Sequence, residues 1–435
     1  MESKVRKKYV GLIVLFYFLW TNCFNFYLLA DKKNQLGEIR ELVMLGITIL
    51  LFPMILHSWK SKFLDSSISR LLLLAVFSAF TALVFWGQTP YYSVRAISSM
   101  MLPLAVFYIL KKYNVSIREM MFAVVIVCIM HGIFQIIGML TFPDVLFGNA
   151  GKEAIERSMG DMEKRGVLRL AVPGADFVPL TMFIVMVVAK KQKKLYLFLI
   201  PLTIVLLMRG TRTPFFITVL VCFCYYVQSL RRKWIAVAFL ILSYLSFSAL
   251  YESLLNSTAD NVLVNYVQMS EQQLNNDEED IRVQMSNFYL FDFNDGNILK
   301  VIFGNGIPSK SEYGNIITYM AENYSYYVVD VGFVEIFVYF GILGLVVYFS
   351  LLRNVINANV IDSCVFAKLG FYYFFIILPT NSMLLSNPLP VALIAYVIYR
   401  GQILAKASYR RKQTTSFLSI KSKIHKSKEI CFYEK

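Results

Sequence analysis

The chain has 435 residues, of which 57% are hydrophobic and 16% charged, and its mean hydropathy is +0.57. That excludes a soluble globular protein, since average soluble domains carry about 45–50% apolar and about 25% charged residues. The net charge of +15 raises nucleic acid as a partner, but no basic patch comes with a base-reading motif, so no nucleic-acid binding is expected. What remains is an all-α polytopic membrane protein.

The first apolar run, Val10 to Ala30, is too long for the core of a signal peptide and lacks a small-residue cleavage site, so it is expected to persist as a span. Apolar runs separated by polar breaks give about 12 spans. They lie at 10–30, 41–58, 70–87, 94–110, 119–141, 173–189, 195–208, 214–230, 234–250, 331–352, 365–385 and 389–405. With Lys4, Arg6, Lys7 and Lys8 in the cytoplasm, the loops that fall inside carry Lys60, Lys62, Lys111, Lys112, Lys190, Lys191, Arg231, Arg232 and Arg353. This follows the positive-inside rule, with Lys32, Lys33 and Arg40 in the first outer loop as the main exception. Both termini are therefore expected in the cytoplasm, and the basic tail suits contact with anionic lipid.

The organisation that follows is transmembrane helices 1–5 over 1–142, a first long outer loop over 143–172, and helices 6–9 over 173–250. A large outer loop over 251–330 separates spans 9 and 10, helices 10–12 occupy 331–405, and a basic cytoplasmic tail occupies 406–435. The six cysteines show neither a disulfide framework nor metal-type spacing. His131, in mid-span, reads as a packed helix residue rather than a ligand.

Residues 195 to 230 carry the most informative pattern. A 14-residue apolar run ends at Met208, Arg209-Gly210-Thr211-Arg212-Thr213 follows, and a second apolar run starts at Pro214. Fourteen helical residues cover only about 21 Å, against about 30 Å of hydrocarbon, which draws both arginines toward the bilayer. Thr213 suits an N-cap and Pro214 a first helical turn. Both guanidiniums are then expected beside free backbone N–H groups and the positive end of a helix, an arrangement suited to a lipid-borne phosphate or pyrophosphate.

The first long outer loop mixes Arg157, Lys164, Arg165 and Arg169 with Glu153, Glu156, Asp161 and Glu163. The second is acidic through Asp277 to Asp280, then rich in Asn, Tyr and Gly. Aromatic rings beside amides favour carbohydrate, although an ordinary ordered loop has the same composition. Loops beyond about 12–15 residues are commonly functional or disordered, and the apolar residues Phe288 to Phe303 argue for order.

Four segments, in order across 157–350, resemble the polysaccharide polymerases and ligases of O-antigen and capsule assembly, the Wzy-type polymerases and their relatives. LLMRGTRTPFFITVL is similar to the family's arginine-bearing helix start, and KRGVLRLAVPGADFVPL to its start of a span after the first long loop. Asp280-Ile281-Arg282 with Phe303-Gly304-Asn305-Gly306 resembles its arginine helix and FGxG turn. Gly341-Ile342-Leu343-Gly344 resembles the signature in the span after its largest loop. Ligase relatives place a histidine where this chain has Asp330, so the resemblance leans to a polymerase.

The resemblance implies a GT-C-like membrane fold and transfer of a glycan from polyprenyl pyrophosphate onto a second lipid-linked repeat unit, without cofactor or metal. Arg209 and Arg212 are then expected to bind the pyrophosphate, with Arg169, Arg165 and Arg282 as partners; arginine grips phosphate oxygens with two donors at once. Arg165 and Arg169 also suit headgroup snorkelling, and Arg282 an ion pair with the preceding acidic run. Asp330 is the first choice of general base, at a span mouth where partial burial raises a carboxylate's pKa. Glu335 and Glu322 are alternatives, and a helix-dipole role also suits Asp330. Expected partners are the two lipid-linked glycans, membrane lipid, a flippase and a chain-length regulator. An O-antigen ligase-type transferase, a lipid-linked oligosaccharide flippase and a secondary transporter stay open as alternatives; no repeated halves support the last.

Overall fold

A computed structural model describes residues 7–26, 33–148, 159, 168, 170–209, 212–229 and 281–433. The expected span 234–250, most of the first outer loop and residues 251–280 of the second lie outside the described residues. Side chains at 7, 8, 22, 33–45, 212, 229, 383 and 411–433 lie outside them too. Among the described residues every regular element is helical. Five helices are long and apolar enough to cross a membrane: Asp65–Trp86 (α3), Pro90–Tyr113 (α4), Ile117–Leu140 (α5), Gly332–Ile356 (α12) and Pro388–Arg410, the first part of α14 (Pro388–Tyr433). The protein is a multi-pass membrane protein. The remaining elements of the bundle are α1 (Lys7–Trp20), α2 (Lys33–Ser58), α6 (Phe177–Ala189), α7 (Leu199–Met208) and α8 (Arg212–Ser229), with α13 (Val365–Ile376) before α14.

The most enclosed of the five long helices is α4, which packs against α2, α3 and α14. Its Pro90 takes the first helical position, where the missing N–H costs nothing, and Asn114 closes it in the left-handed conformation. α5 opens on a capping box: Ser116 Oγ accepts from the Glu119 N–H at 3.2 Å, and Glu119 Oε2 accepts from the Ser116 N–H at 2.8 Å. Each bond satisfies a donor that the first helical turn would leave orphaned.

Helix ends gather at two opposite poles. At the basic pole, Lys111 donates to Asp65 at 2.6 Å and to Ser58 at 2.9 Å, joining α4 to α3 and α2. There too Tyr396 Oη donates to the Val115 carbonyl at 2.6 Å, and Gln402 accepts from the Leu64 N–H at 3.1 Å. At the other pole the Gly148 N–H donates to the Phe24 carbonyl (3.1 Å), and the Gly332 N–H to the Leu378 carbonyl (2.9 Å).

Two expected spans are broken. The run from Val10 forms helix only to Trp20, and Cys23, Phe24 and Asn25 then adopt positive φ of 56°, 60° and 54°. Left-handed backbone costs a non-glycine residue about 1–2 kcal/mol. Over three residues that is about 3–6 kcal/mol, of which full burial of Phe24 against Tyr17, Phe18 and Phe134 offsets about 1.5–3 kcal/mol. α12 is kinked at Gly341 (φ 65°, ψ −162°). The kink frees the Val338 and Tyr339 carbonyls, which accept from the N–H groups of Asn305 (2.8 Å) and Gly306 (3.0 Å).

The described part of the large loop is ordered and helical. It comprises α9 (Ile281–Asn287) continuing through a π turn, α10 (Ile298–Phe303) and α11 (Glu312–Tyr324). Trp86, at the end of α3, is its anchor. Its ring stacks on Tyr313 at 4.8 Å, the Lys300 ammonium lies 4.0 Å from its centroid, and Nε1 donates to Asn305 at 3.0 Å.

Candidate functional site

A cavity of about 560 Å³ opens at the non-basic pole, walled by α1, α5, the turn before α6, the end of α7 and the turn between α13 and α14. The turn before α6 positions its acidic residue. Gly174 takes φ +101°, where a Cβ would press on His131 and Tyr17, and the Phe177 N–H donates to its carbonyl at 2.9 Å. Asp176 then occupies the N-cap of α6 but makes no side-chain cap bond. Its carboxylate turns away from its own helix. Oδ1 accepts from Arg209 Nη1 at 3.2 Å, and Oδ2 from Asn387 Nδ2 at 2.8 Å.

Arg209 is the C-cap of α7, where the helix dipole favours a cation. Its side chain is 23% exposed and that of Asp176 10%. The two form an ion pair at the cavity wall, partly shielded from solvent and therefore less screened than a surface pair. His131 Nδ1 lies 3.0 Å from the Pro173 carbonyl, and Gln135 Nε2 makes a long 3.5 Å contact to the Met208 carbonyl. His131 is thus the buried, bonded helix residue expected, yet its ring also lines the cavity. Thr21, Asn25, Asn381 and Ser386 complete a wall rich in hydroxyl and amide groups. Such a wall hydrogen-bonds hydroxyls and phosphate oxygens equally well.

Of the expected anion-binding residues, Arg209 lines this cavity. Arg212 opens α8, so Thr213 and Pro214 fall inside its first turn and Thr213 is not its N-cap. The Arg212 side chain, Arg165 and Arg169 lie outside the described residues. Arg169 precedes Leu170, which lines the cavity.

Asp330, Arg282 and Glu335 are not among the residues that line this cavity. Asp330 ends the short 3-10 turn Val328–Asp330, exposed just ahead of α12. Partial desolvation raises its carboxyl above the ordinary carboxylate range, and the nearby Arg282 guanidinium opposes the shift. The structure thus brings Asp330 and Arg282 within electrostatic reach. Glu335 sits one turn into α12, buried, with Oε2 lacking a hydrogen-bond partner; Glu322 is exposed on α11. Two residues past Asp330, Gly332 packs so closely on the backbone of Asn381 and Ser382 that a Cβ would collide. Since Asn381 lines the cavity, this contact ties the Asp330 turn to its wall.

Asp176 and Asn387 were missed in the sequence reading, although a lone acid inside VPGADFVPL demands a partner at membrane depth. Among the described residues no group of three or more His, Cys, Asp or Glu is arranged to hold a metal. Comparisons of the chain with protein-family models, with curated proteins and with solved structures each find no match.

Proposed function

We propose that this protein is a metal-independent glycosyltransferase, a polysaccharide polymerase that joins polyprenyl-pyrophosphate-linked repeat units at the outer face of the cytoplasmic membrane. The observation that carries the reading is Arg209 on the wall of a hydroxyl- and amide-lined cavity, at a helix end and held by Asp176. The chain then crosses the membrane about 12 times, with 234–250 as one span, the basic pole inside, and both termini cytoplasmic.

In the reaction Asp330 takes the proton of the acceptor hydroxyl, whose oxygen attacks the anomeric carbon of the donor. The bond from that carbon to the pyrophosphate oxygen breaks, and the pyrophosphate leaves with the electron pair. Arg209 and Arg212, with Arg169 and Arg165, stabilise the charge that develops on it. The exposed rings of Tyr319 and Tyr324, 6.1 Å apart, with the half-buried Tyr326 5.8 Å from Tyr324, lie just before Asp330 in sequence and suit the acceptor sugar.

Purified protein supplied with lipid-linked repeat units should lengthen the glycan; movement across the bilayer without lengthening would favour the flippase reading instead. Orientation has its own check. Cysteine placed at Asn323 should react with an impermeant reagent in intact cells, and cysteine at Lys60 or Ser422 should not; the reverse pattern inverts the topology.

The pH profile tests Asp330. A general base works deprotonated, so the rate falls as pH drops through its pKa, which desolvation has raised. Arg282 holds that pKa down, so Arg282→Gln should move the acidic limb to higher pH, whereas Arg282→Lys should leave it nearly in place. An unchanged limb in Arg282→Gln, with Asp330→Asn still active, removes both residues from catalysis.

A further inference from the structure

A second cavity, of about 1040 Å³, lies at the basic pole between α5, α6 and the turn before α13. Its wall is apolar, built from Met121, Phe122, Val125, Ile184 and Val188, and its mouth carries Arg118 and Lys191 with Asp362. Glu119, next in sequence to Arg118, is buried and accepts from the N–H of Ser116, itself a lining residue. With Lys190, whose ammonium lies 3.9 Å from the Tyr225 ring centroid, three cations at this end of the groove stand against Asp362 and Glu119.

We propose that this groove binds an anionic phospholipid, acyl chain against the apolar wall and headgroup phosphate at Arg118 and Lys191. Acyl chains fill the groove with little net hydrophobic gain, because they leave one apolar medium for another. Discrimination thus resides in the headgroup, and basic pockets between transmembrane helices bind anionic headgroups in this way. A soluble metabolite would leave most of the wall unmatched. That the site faces the inner leaflet rests on the orientation proposed above; the binding itself does not.

The test is native mass spectrometry of the full chain titrated with phosphatidylglycerol or phosphatidylethanolamine. Wild type should prefer phosphatidylglycerol, and Arg118→Ala with Lys191→Ala should weaken its binding about thirty-fold, the size expected for two basic groups near a headgroup. Asp362→Asn should tighten binding, a gain that damage to the fold cannot mimic, and Arg118→Lys with Lys191→Arg should retain the preference. Equal binding of both lipids by wild type, or no response to Asp362→Asn, overturns the proposal. So does a photo-crosslinker at Val188 that captures residues 231–250 of this chain instead of lipid.

Discussion

Arg209→Ala should lower glycan polymerisation by about 10²–10³-fold, the loss of about 2.7–4 kcal/mol seen when one preorganised donor to a developing oxyanion is removed. The single variant also leaves Asp176 as an uncompensated charge with 10% side-chain exposure. Breaking a fully buried pair from one side costs about 3–5 kcal/mol of stability, and this partly shielded one less, so lost activity alone would not separate chemistry from folding. The pair variant Arg209→Leu with Asp176→Leu does separate them. It removes both charges, leaves no buried charge unpaired, and should recover most of the thermal stability lost in Arg209→Ala. If Arg209 acts on the pyrophosphate, the pair variant stays inactive although folded. If Arg209 serves only to neutralise Asp176, activity returns with stability. Arg209→Lys should rescue partly, because a point charge keeps the ion pair but not the planar fork.

The helices were legible because apolar runs of spanning length leave little choice in a bilayer, where backbone groups must bond within their own segment. Hydropathy says nothing about where such a run turns. The break at Cys23 to Asn25 falls inside the apolar run, where Phe24 packs against Phe134, more than 100 residues away. The arginine at 209 was legible for the same reason that makes a membrane-depth charge conspicuous. Its partner was not, because Asp176 resembles an ordinary helix-capping acid until the fold turns its carboxylate toward Arg209 and Asn387. Composition also overstated the sugar-binding surface of the large loop. Trp86, Tyr289, Tyr313 and Asn305 hold the loop's own core together, with Tyr313 Oη donating to the Gly306 carbonyl at 3.1 Å and Asn305 Nδ2 to Asn294 at 2.9 Å. Phe291, Tyr319, Tyr324 and Tyr327 are the exposed rings among the loop's described residues.

Gly341→Ala should unseat the large loop from the bundle. At φ 65° and ψ −162° the position lies in a region that is essentially glycine-only and costs other residues about 1–3 kcal/mol. A Cβ there would also run into the Ile302 carbonyl and the Gly304 N–H, where the two chain segments meet backbone to backbone. The strain is relieved if α12 straightens, but a regular helix takes back the Val338 and Tyr339 carbonyls that now hold Asn305 and Gly306. Two such bonds are worth about 0.5–1.5 kcal/mol each. The two costs are alternatives, so the loss should be about 1–3 kcal/mol by either route, within the usual span of a single substitution. Gly296→Ala is the matched control, since Gly296 has a similar φ of +67° with open space around its Cβ position. Gly341→Ala should melt well below Gly296→Ala, and its Asn305 and Gly306 amides should exchange hydrogen far faster than in wild type. Equal melting of the two variants, or unchanged protection at those amides, would mean that the Gly341 kink does not hold the loop in place. The link from the loop through Asp330 and Gly332 to the cavity wall would then need another support.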